Sequence, residues 1–183
     1  MGQAGRMQKP LKSGPFAGDC TQLRINVMKL SEIIEEYNII PELKARDKTS
    51  VLEELARVLS KNDPSIDEGA LIKVLMEREQ LGSTGIGDGV AIPHGKLGAI
   101  KNPIVSFGRS KLGVDFDSMD GQPAYLFFLI VASENSSGFH LQVLAKIAKR
   151  LKSSAFRKKL MGAETKTELY QTIIEADDEA DSR

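Results

Sequence analysis

The chain has 183 residues, and its 25 Lys and Arg residues balance 25 Asp and Glu residues, so the formal net charge is zero. This balance argues against a nucleic-acid-binding protein, which needs a basic surplus to hold phosphates. The 41% hydrophobic and 27% charged residues are typical of a soluble globular domain with a sizeable core. No apolar run approaches the length that a membrane-spanning helix needs.

The cysteine and histidine counts restrict the possible sites further. Cys20 is the single cysteine, so no internal disulfide can form, which fits a reducing cytoplasm. One cysteine and two histidines are too few for a closed structural zinc site. The N-terminal residues contain no continuous apolar stretch of the secretory type, and the expected location is the cytoplasm.

The two ends of the chain differ in composition from its middle. Residues 1–27 contain four glycines, two prolines and two lysines and show no periodicity, which predicts a disordered extension that is dispensable for folding. A single folded domain is expected over residues 28–175, followed by an acidic tail over 176–183. At the start of that domain, residues 30–36 are predicted as a short helix and residues 38–43 as an extended segment that Pro41 interrupts.

Three helix starts carry a hydroxyl residue followed three places later by a glutamate, the capping-box pattern. The pairs are Ser50/Glu53, Ser65/Glu68 and Thr165/Glu168. The second helix is predicted over residues 67–80, and its apolar stripe leads to Arg78 at the last step. An arginine at the end of an inward stripe either extends its guanidinium to water or is held against an anion.

Residues 82–95 form a glycine-rich stretch that ends in Pro93-His94-Gly95. Because proline favours an extended conformation in the residue before it, residues 90–92 are predicted as a short buried strand that ends at His94. A histidine at a strand end, beside a glycine with no side chain to shield it, is placed for chemistry. The alternative is a structural turn whose histidine only caps the strand.

The second half of the chain alternates strand and helix patterns. Strands are predicted over residues 103–109 and, more weakly, 114–116, and the continuous apolar run at 125–132 is typical of a central strand buried on both faces. Helices are predicted after residue 138 and over residues 154–161 and 165–175. Strands interleaved with helices favour an α/β fold in which a sheet lies between layers of helices.

Several nucleotide and hydrolase motifs are absent. Leu97 follows Gly95-Lys96 where a phosphate-binding loop of the Walker type needs Ser or Thr, and no G-x-G-x-x-G or G-x-S-x-G occurs. A metal site built from His94, His140 and Asp88 is conceivable, but no further ligand stands at metal spacing.

His140 is predicted to lie in the first turn of a helix, on its inward stripe. The N-terminus of a helix favours an anion and disfavours an imidazolium, so a neutral histidine there could donate a hydrogen bond to a phosphate. The alternative is a histidine that is simply packed in the core. Together with His94, however, it provides what phosphoryl transfer through nitrogen requires: a nucleophilic imidazole and a nearby neutral donor.

These motifs carry a family resemblance. Residues 28 to about 174 resemble the enzyme IIA domain of the fructose/mannitol type from the bacterial phosphoenolpyruvate-dependent phosphotransferase system. The resemblance rests on Arg-Glu-Gln-Leu-Gly-Ser-Thr-Gly-Ile-Gly at 78–87 and Val-Ala-Ile-Pro-His-Gly at 90–95, and the wording Gly-Ser-Thr-Gly-Ile-Gly is most similar to the nitrogen-regulatory branch. It implies a mixed β-sheet between layers of helices in a single domain.

The resemblance also implies residue roles and partners. His94 would receive phosphate from the carrier HPr or its nitrogen-branch relative, with Arg78 and His140 as the other active-site residues. Ser83, Thr84, Asp88 and Gly95 would bind phosphate or support the residues that do. The phosphoryl group would derive from phosphoenolpyruvate, with no cofactor or metal, and a IIB domain or regulatory targets would be further partners, without nucleic acid or membrane insertion.

Three functional hypotheses follow from this sequence. The first is a phosphoryl carrier of a phosphotransferase chain, of the regulatory branch. The second is a binding regulator whose phosphorylation state switches its protein partners, with no onward transfer to sugar. The third is a metal-dependent hydrolase that uses His94, His140 and Asp88.

Overall fold

The computed structural model describes residues 29–134 and 137–181. A 3-10 turn at Leu30–Glu32 precedes six strands and five helices. The strands are β1 (Ile34–Ile40), β2 (Gly85–Gly87), β3 (Val90–Ala91), β4 (His94–Leu97), β5 (Ile104–Val114) and β6 (Ala124–Ser133). The helices are α1 (Lys48–Asn62), α2 (Glu68–Gln80), α3 (Ser137–Leu151), α4 (Ser154–Gly162) and α5 (Lys166–Asp181).

The six strands form one mixed sheet in the order β1-β5-β6-β3-β2, and β4 also pairs with β6. The β1/β5, β3/β6 and β4/β6 pairs are parallel, whereas β5/β6 and β2/β3 are antiparallel. Strands β3 and β4 follow one another along the same edge of β6, with Val90 opposite Leu126 and His94 opposite Ile130. The predicted mixed sheet and single domain are confirmed.

Strand β6 lies at the centre of the core, as its continuous apolar run predicts. Phe127 and Leu129 belong to the hydrophobic cluster that contains the apolar faces of α1 and α2. Phe128 and Ile130 belong to the opposite cluster, formed with α3, α4 and α5. The sheet is therefore buried on both faces between two layers of helices, the arrangement expected for such a strand.

Two predicted elements differ from the structure. The helix predicted over residues 30–36 is wrong: only Leu30–Glu32 is helical, and strand β1 follows. Ile34 and Ile39 are almost fully buried in β1, so pairing with β5 overrides the local helical preference. The strand predicted at 103–109 continues to Val114 as β5, a strand of eleven residues, whereas the strand predicted at 114–116 is wrong, since only its first residue lies in β5.

The helix caps are also partly different. Asp47 and Asp67 cap α1 and α2, since their carboxylates accept hydrogen bonds from the backbone amides of Ser50 and Ala70. The predicted starts at Ser50 and Ser65 are therefore wrong: Ser50 already lies inside α1, Ser65 lies two residues before the cap of α2, and in both helices an aspartate satisfies the free amides. The third start is confirmed: Thr165 Oγ1 accepts from the amide of Glu168 at 3.1 Å.

The ends of the predicted domain are less informative. The predicted extension over residues 1–27 lies outside the described residues, and α5 continues to Asp181 through most of the predicted acidic tail. Within the described ranges, none of the helices has the length and apolar character that crossing a bilayer requires.

Candidate active site

The site lies where β3 ends and β4 begins, at the edge of the sheet. Ile92 and Pro93 interrupt the edge, and His94 is the first residue of β4 rather than the last residue of a strand, as the sequence predicted. Strand β2 covers β3, whereas in the described sheet β4 pairs with β6 alone. The half-buried His94 side chain therefore stands just beyond the part of the edge that β2 covers.

The contacts of the His94 ring determine its tautomer. Arg78 Nε lies 3.0 Å from His94 Nε2, and because a guanidinium only donates, Nε2 must be the acceptor. The ring proton is then on Nδ1, which donates to the carbonyl oxygen of Ile92 at 2.9 Å. The lone pair of Nε2, the nucleophilic position of a neutral imidazole, is thus directed toward Arg78.

Arg78 reaches His94 because α2 packs closely on β4. A Cβ atom on Gly95 would lie only 2.8 Å from Val74 Cγ1 and 3.4 Å from Leu75 Cδ2, so a larger residue would force the Val74 side chain or the helix to move. Arg78 is one turn further along α2, and its Nη1 donates to the carbonyl oxygen of Gly82 at 3.0 Å. The glycine after His94 therefore sets the distance between helix and strand.

His140 approaches the same ring from the other layer of helices. The ring centroids of His94 and His140 are 5.3 Å apart, with an interplanar angle of 50°. His140 is the fourth residue of α3 and is only 7% exposed, and its Nδ1 has no hydrogen-bond partner in the described part of the chain. The structure thus brings together Arg78, His94 and His140, the three residues expected to converge.

Burial favours the neutral form of both rings by lowering the pKa of each. Desolvation lowers the pKa of His94 below its ordinary value, and the Arg78 charge lowers it further, against the opposing effects of the Ile92 carbonyl and Glu79. Desolvation likewise lowers the pKa of His140, with smaller contributions from His94 and Lys96. A neutral His94 is the form that can act as a nucleophile.

These pKa shifts predict how stability depends on pH. Because each ring has a lower pKa in the folded protein, the unfolded chain binds more protons as the pH falls below the ordinary value of 6.5. The free energy of unfolding should therefore decrease between about pH 7 and pH 5. Urea unfolding at several pH values measures this decrease, which should be smaller in a His94→Gln/His140→Gln variant. Equal pH dependence in both proteins would contradict the assignment.

Asp88 lies elsewhere. It forms, with Gly89, the two-residue turn between β2 and β3, and both residues have positive φ (56° and 76°). An Asp-Gly dipeptide is a strong signal for such a hairpin turn. The Asp88 amide donates to Asp120 Oδ2 at 2.8 Å and its carboxylate pairs with Arg157 at 3.4 Å.

The register of β6 separates Asp88 from the histidines. Val90, two residues after Asp88, pairs with Leu126, whereas His94 pairs with Ile130. These positions are four residues apart, about 13 Å along a strand. Asp88 therefore does not join the two histidines, and among residues 29–134 and 137–181 no cluster of three or more His, Cys, Asp or Glu side chains is arranged for a metal ion.

The remaining candidate residues support the loop that leads to β2. Ser83 Oγ donates to the carbonyl oxygen of Phe116 at 2.7 Å, and the Thr84 hydroxyl donates to Glu79 Oε2 at 2.7 Å. Glu79 is buried although it carries a charge, and sequence reasoning did not single it out. Its position in the last turn of α2 gave no signal, because a glutamate there is usually exposed.

Comparison with known proteins identifies the family of this chain. The family model described as "Phosphoenolpyruvate-dependent sugar phosphotransferase system, EIIA 2" matches residues 32–176. The nitrogen regulatory protein of Bradyrhizobium diazoefficiens is 38% identical over 146 residues, which are 80% of this chain and 95% of that protein. The fructose-specific EIIABC component of Bacillus subtilis is 38% identical over 150 residues, 82% of this chain, but the chain spans only 24% of that protein.

Solved structures give the same assignment. The crystal structure of the nitrogen regulatory protein IIA-Ntr from Neisseria meningitidis matches with a TM-score of 0.74 and 33% identity, over 79% of this chain and 98% of that chain. The mannitol IIA of Escherichia coli shares the fold, with a TM-score of 0.65 at 23% identity over 76% and 97% of the two chains. The chain therefore belongs to the EIIA 2 family of the phosphoenolpyruvate-dependent sugar phosphotransferase system and is related to its nitrogen-regulatory members.

Proposed function

We propose that this EIIA domain is a regulatory phosphoryl carrier that accepts phosphate on Nε2 of His94 from HPr or its nitrogen-branch relative. The observation that carries the proposal is the orientation of the His94 ring. Its proton is held on Nδ1 by the Ile92 carbonyl, and its nucleophilic nitrogen faces Arg78 at 3.0 Å.

The chemical step exchanges one phosphorus–nitrogen bond for another. The Nε2 lone pair of His94 attacks the phosphorus of a phosphohistidine on the carrier, and the bond between phosphorus and the carrier's imidazole breaks. The leaving imidazole takes the electron pair of that bond. The proton on Nδ1 of His94 stays in its hydrogen bond to Ile92, so the phosphorylated ring carries a positive charge next to the anionic phosphoryl group.

Arg78 and His140 would hold the transferred group. In the free protein the Nε–H of Arg78 donates a hydrogen bond to the Nε2 lone pair of His94. When this lone pair attacks phosphorus, the guanidinium must shift to the phosphoryl oxygens. His140, whose ring lies 5.3 Å from the His94 ring, is within reach of the same oxygens as a neutral donor. Because a guanidinium and an imidazole supply the donors, the proposed transfer uses no metal ion or organic cofactor.

Exposed apolar side chains beside the site fit a protein as the phosphoryl donor. Leu81 follows Arg78 by three residues and is 85% exposed, and Leu141 follows His140 directly and is 66% exposed. Large exposed apolar side chains so near the active-site residues along the chain favour protein docking. A IIB domain and regulatory target proteins are the other proposed partners, and we place the protein in the cytoplasm with its carrier.

One observation and one physical argument favour a regulatory role. The relatives called nitrogen regulatory protein match this chain over nearly their whole length, 95% for Bradyrhizobium diazoefficiens and 97% for Pseudomonas aeruginosa. Phosphorylation would also add about −1.5 to −2 charges at His94, which would change how the surrounding surface binds other proteins.

The test is incubation of the protein with phosphoenolpyruvate, enzyme I and the carrier, followed by intact mass measurement. The mass should increase by one phosphoryl group, and the label should be lost in acid and retained in base, as for phosphohistidine. Peptide mapping should find the group on the peptide with His94. No increase, or an acid-stable label, would contradict the proposal.

A second measurement distinguishes carrier from pure binding regulator. The purified phosphorylated protein is mixed with a IIB domain or with dephosphorylated carrier, and the label on each protein is followed over time. Rapid transfer to IIB supports an onward carrier role. Return of the label to the carrier alone favours the regulator, which keeps its phosphate until the carrier pool is dephosphorylated.

A further inference from the structure

A buried carboxylate lies directly behind the two residues in contact at the site. Glu79 is 8% exposed and accepts from the backbone amide of Thr84 at 2.9 Å and from its hydroxyl at 2.7 Å. Lys48 Nζ lies 3.1 Å from the same carboxylate. A buried carboxylate is costly unless its oxygens are bonded, and here both oxygens have partners.

On the Thr84 side of the Glu79–Thr84 contact, hydrogen bonds connect Thr84 to Nδ1 of the His94 ring. The carbonyl oxygen of Thr84 accepts from the amide of Ile92 at 3.0 Å. The carbonyl oxygen of Ile92 is in turn the acceptor for His94 Nδ1 at 2.9 Å. The position of Thr84 therefore determines where the acceptor that fixes the His94 tautomer lies.

On the Glu79 side of the contact, α2 and further hydrogen bonds connect Glu79 to Nε2 of the His94 ring. Glu79 follows Arg78 in the last turn of α2, and its own carbonyl oxygen accepts from the amide of Gly82 at 3.1 Å. Arg78 Nη1 donates to the Gly82 carbonyl oxygen, and Arg78 Nε donates to His94 Nε2. Both nitrogens of the His94 ring are thus linked back to Glu79, and the hydrogen bonds form a closed circuit.

We propose that Glu79 is a positioning residue for phosphoryl transfer and that its bonds to Thr84 hold the His94 ring and the Arg78 guanidinium in their reactive arrangement. This inference rests on the proposed function of His94. Glu79 does not touch the phosphoryl group. Its part is to join the end of α2 to the loop before β2, so that Arg78 and Ile92 stay on opposite sides of the ring.

Small displacements matter at such a site. A shift of about 1 Å in a reacting group can reduce a rate by about a hundredfold. Without the bond from Glu79 to Thr84, the segment 82–84 is free to move relative to α2, and both the Gly82 carbonyl and the Ile92 carbonyl move with it. The His94 ring could then rotate or change tautomer, although His94 itself is not substituted.

The variants are chosen to cut this contact with little change in shape. Glu79→Gln keeps the side-chain size but replaces one acceptor oxygen by a donor, so the bond to the Thr84 hydroxyl can survive only with its direction reversed, and Lys48 loses its charged partner. Thr84→Val removes the hydroxyl alone, and Thr84→Ser restores it. Asp117→Asn is the matched control, because Asp117 pairs with Lys48 at 2.8 Å without contacting Glu79, and asparagine tolerates its positive φ of 50°.

Three measurements separate positioning from a purely structural role. In single-turnover transfer at varied carrier concentration, Glu79→Gln and Thr84→Val should lower the maximal rate by about ten- to a hundredfold. The concentration for half-maximal rate should stay unchanged, since a buried Glu79 cannot touch the carrier. Nitrogen NMR of the imidazoles should show one His94 tautomer in the native protein and in Asp117→Asn, and mixed tautomers in Glu79→Gln. In the Arg78→Ala background, Glu79→Gln should have a much smaller effect, because the two residues act through each other.

The proposal fails if folded Glu79→Gln and Thr84→Val both keep the native transfer rate and the single His94 tautomer. It also fails if Thr84→Ser does not recover what Thr84→Val loses. Should Glu79→Gln not fold, the Thr84→Val and Thr84→Ser pair decides the question alone. The tautomer is measured without any phosphoryl donor, so this positioning role can be tested independently of phosphorylation. A protein that is never phosphorylated would contradict the proposed function of His94 but not the effect of Glu79 on the tautomer.

Discussion

His94→Ala is expected to abolish phosphoryl uptake from the carrier completely, while His140→Ala should still be labelled at a reduced rate. The chain contains only two histidines, so these two variants test every imidazole it has. His94 presents Nε2 at the sheet edge, whereas His140 is 7% exposed and serves as a donor. Loss of one charge-assisted hydrogen bond costs about 1.5–3 kcal/mol, or about ten- to a hundredfold in rate.

The same experiment includes Arg78. Arg78→Ala should slow uptake by a similar factor, and Arg78→Lys should recover only part of the rate, since lysine keeps the charge but not the planar set of donors. Rapid-quench measurement of the label gives each rate, and circular dichroism checks that each variant is folded. The assignment would be reversed if His94→Ala accepts label while His140→Ala does not.

The convergence of Arg78, His94 and His140 could be predicted from the sequence only because one family motif contains both Arg78 and His94. Periodicity places Arg78 at the end of an apolar stripe, but it leaves open whether the guanidinium faces water or an anion. The structure gives a third answer, since Arg78 donates to the lone pair of His94. That contact depends on how closely α2 approaches β4, a tertiary distance that Gly95 sets and that no local pattern encodes.

Asp88 and Glu79 illustrate what local patterns do and do not reveal. The Asp88-Gly89 dipeptide is a local turn signal, so its position in the hairpin could have been predicted from sequence. Glu79 gives no such signal, because a glutamate in the last turn of a helix is usually exposed. Its burial results from Thr84 and Lys48, which the chain brings beside it only when α1, α2 and the loop are assembled.

The fold shows the same division. Strand β6 is recognisable from its run of apolar residues, because a strand buried on both faces has no alternating polar residues to interrupt that run. Strand β1 is not recognisable, since its two glutamates and single asparagine interrupt the apolar pattern, and its buried Ile34 and Ile39 are revealed only by pairing with β5.

Arg109 is a buried cation that the sequence does not mark as special. It lies in β5, is 1% exposed and has main-chain carbonyls as its hydrogen-bond partners in the described part of the chain. Its Nε donates to Pro41 at 3.0 Å, and its Nη1 donates to Leu160 at 2.8 Å and Ala163 at 2.6 Å. It thereby satisfies free carbonyls at the C-terminal end of α4, where the helix dipole favours a positive charge.

Arg109→Met is therefore expected to lower the free energy of unfolding by about 3–5 kcal/mol, because methionine fills much of the space but leaves the carbonyls of Pro41, Leu160 and Ala163 buried without a donor. Arg109→Lys should cost less, since it keeps the charge and one donor group. Lys111→Met is the matched control: Lys111 is exposed two residues further along β5, and its change should stay within about 0.5 kcal/mol. Urea unfolding measures all three variants. An Arg109→Met protein as stable as the Lys111→Met control would mean that the carbonyls find other donors, and that the buried charge does not connect β5 to the end of α4.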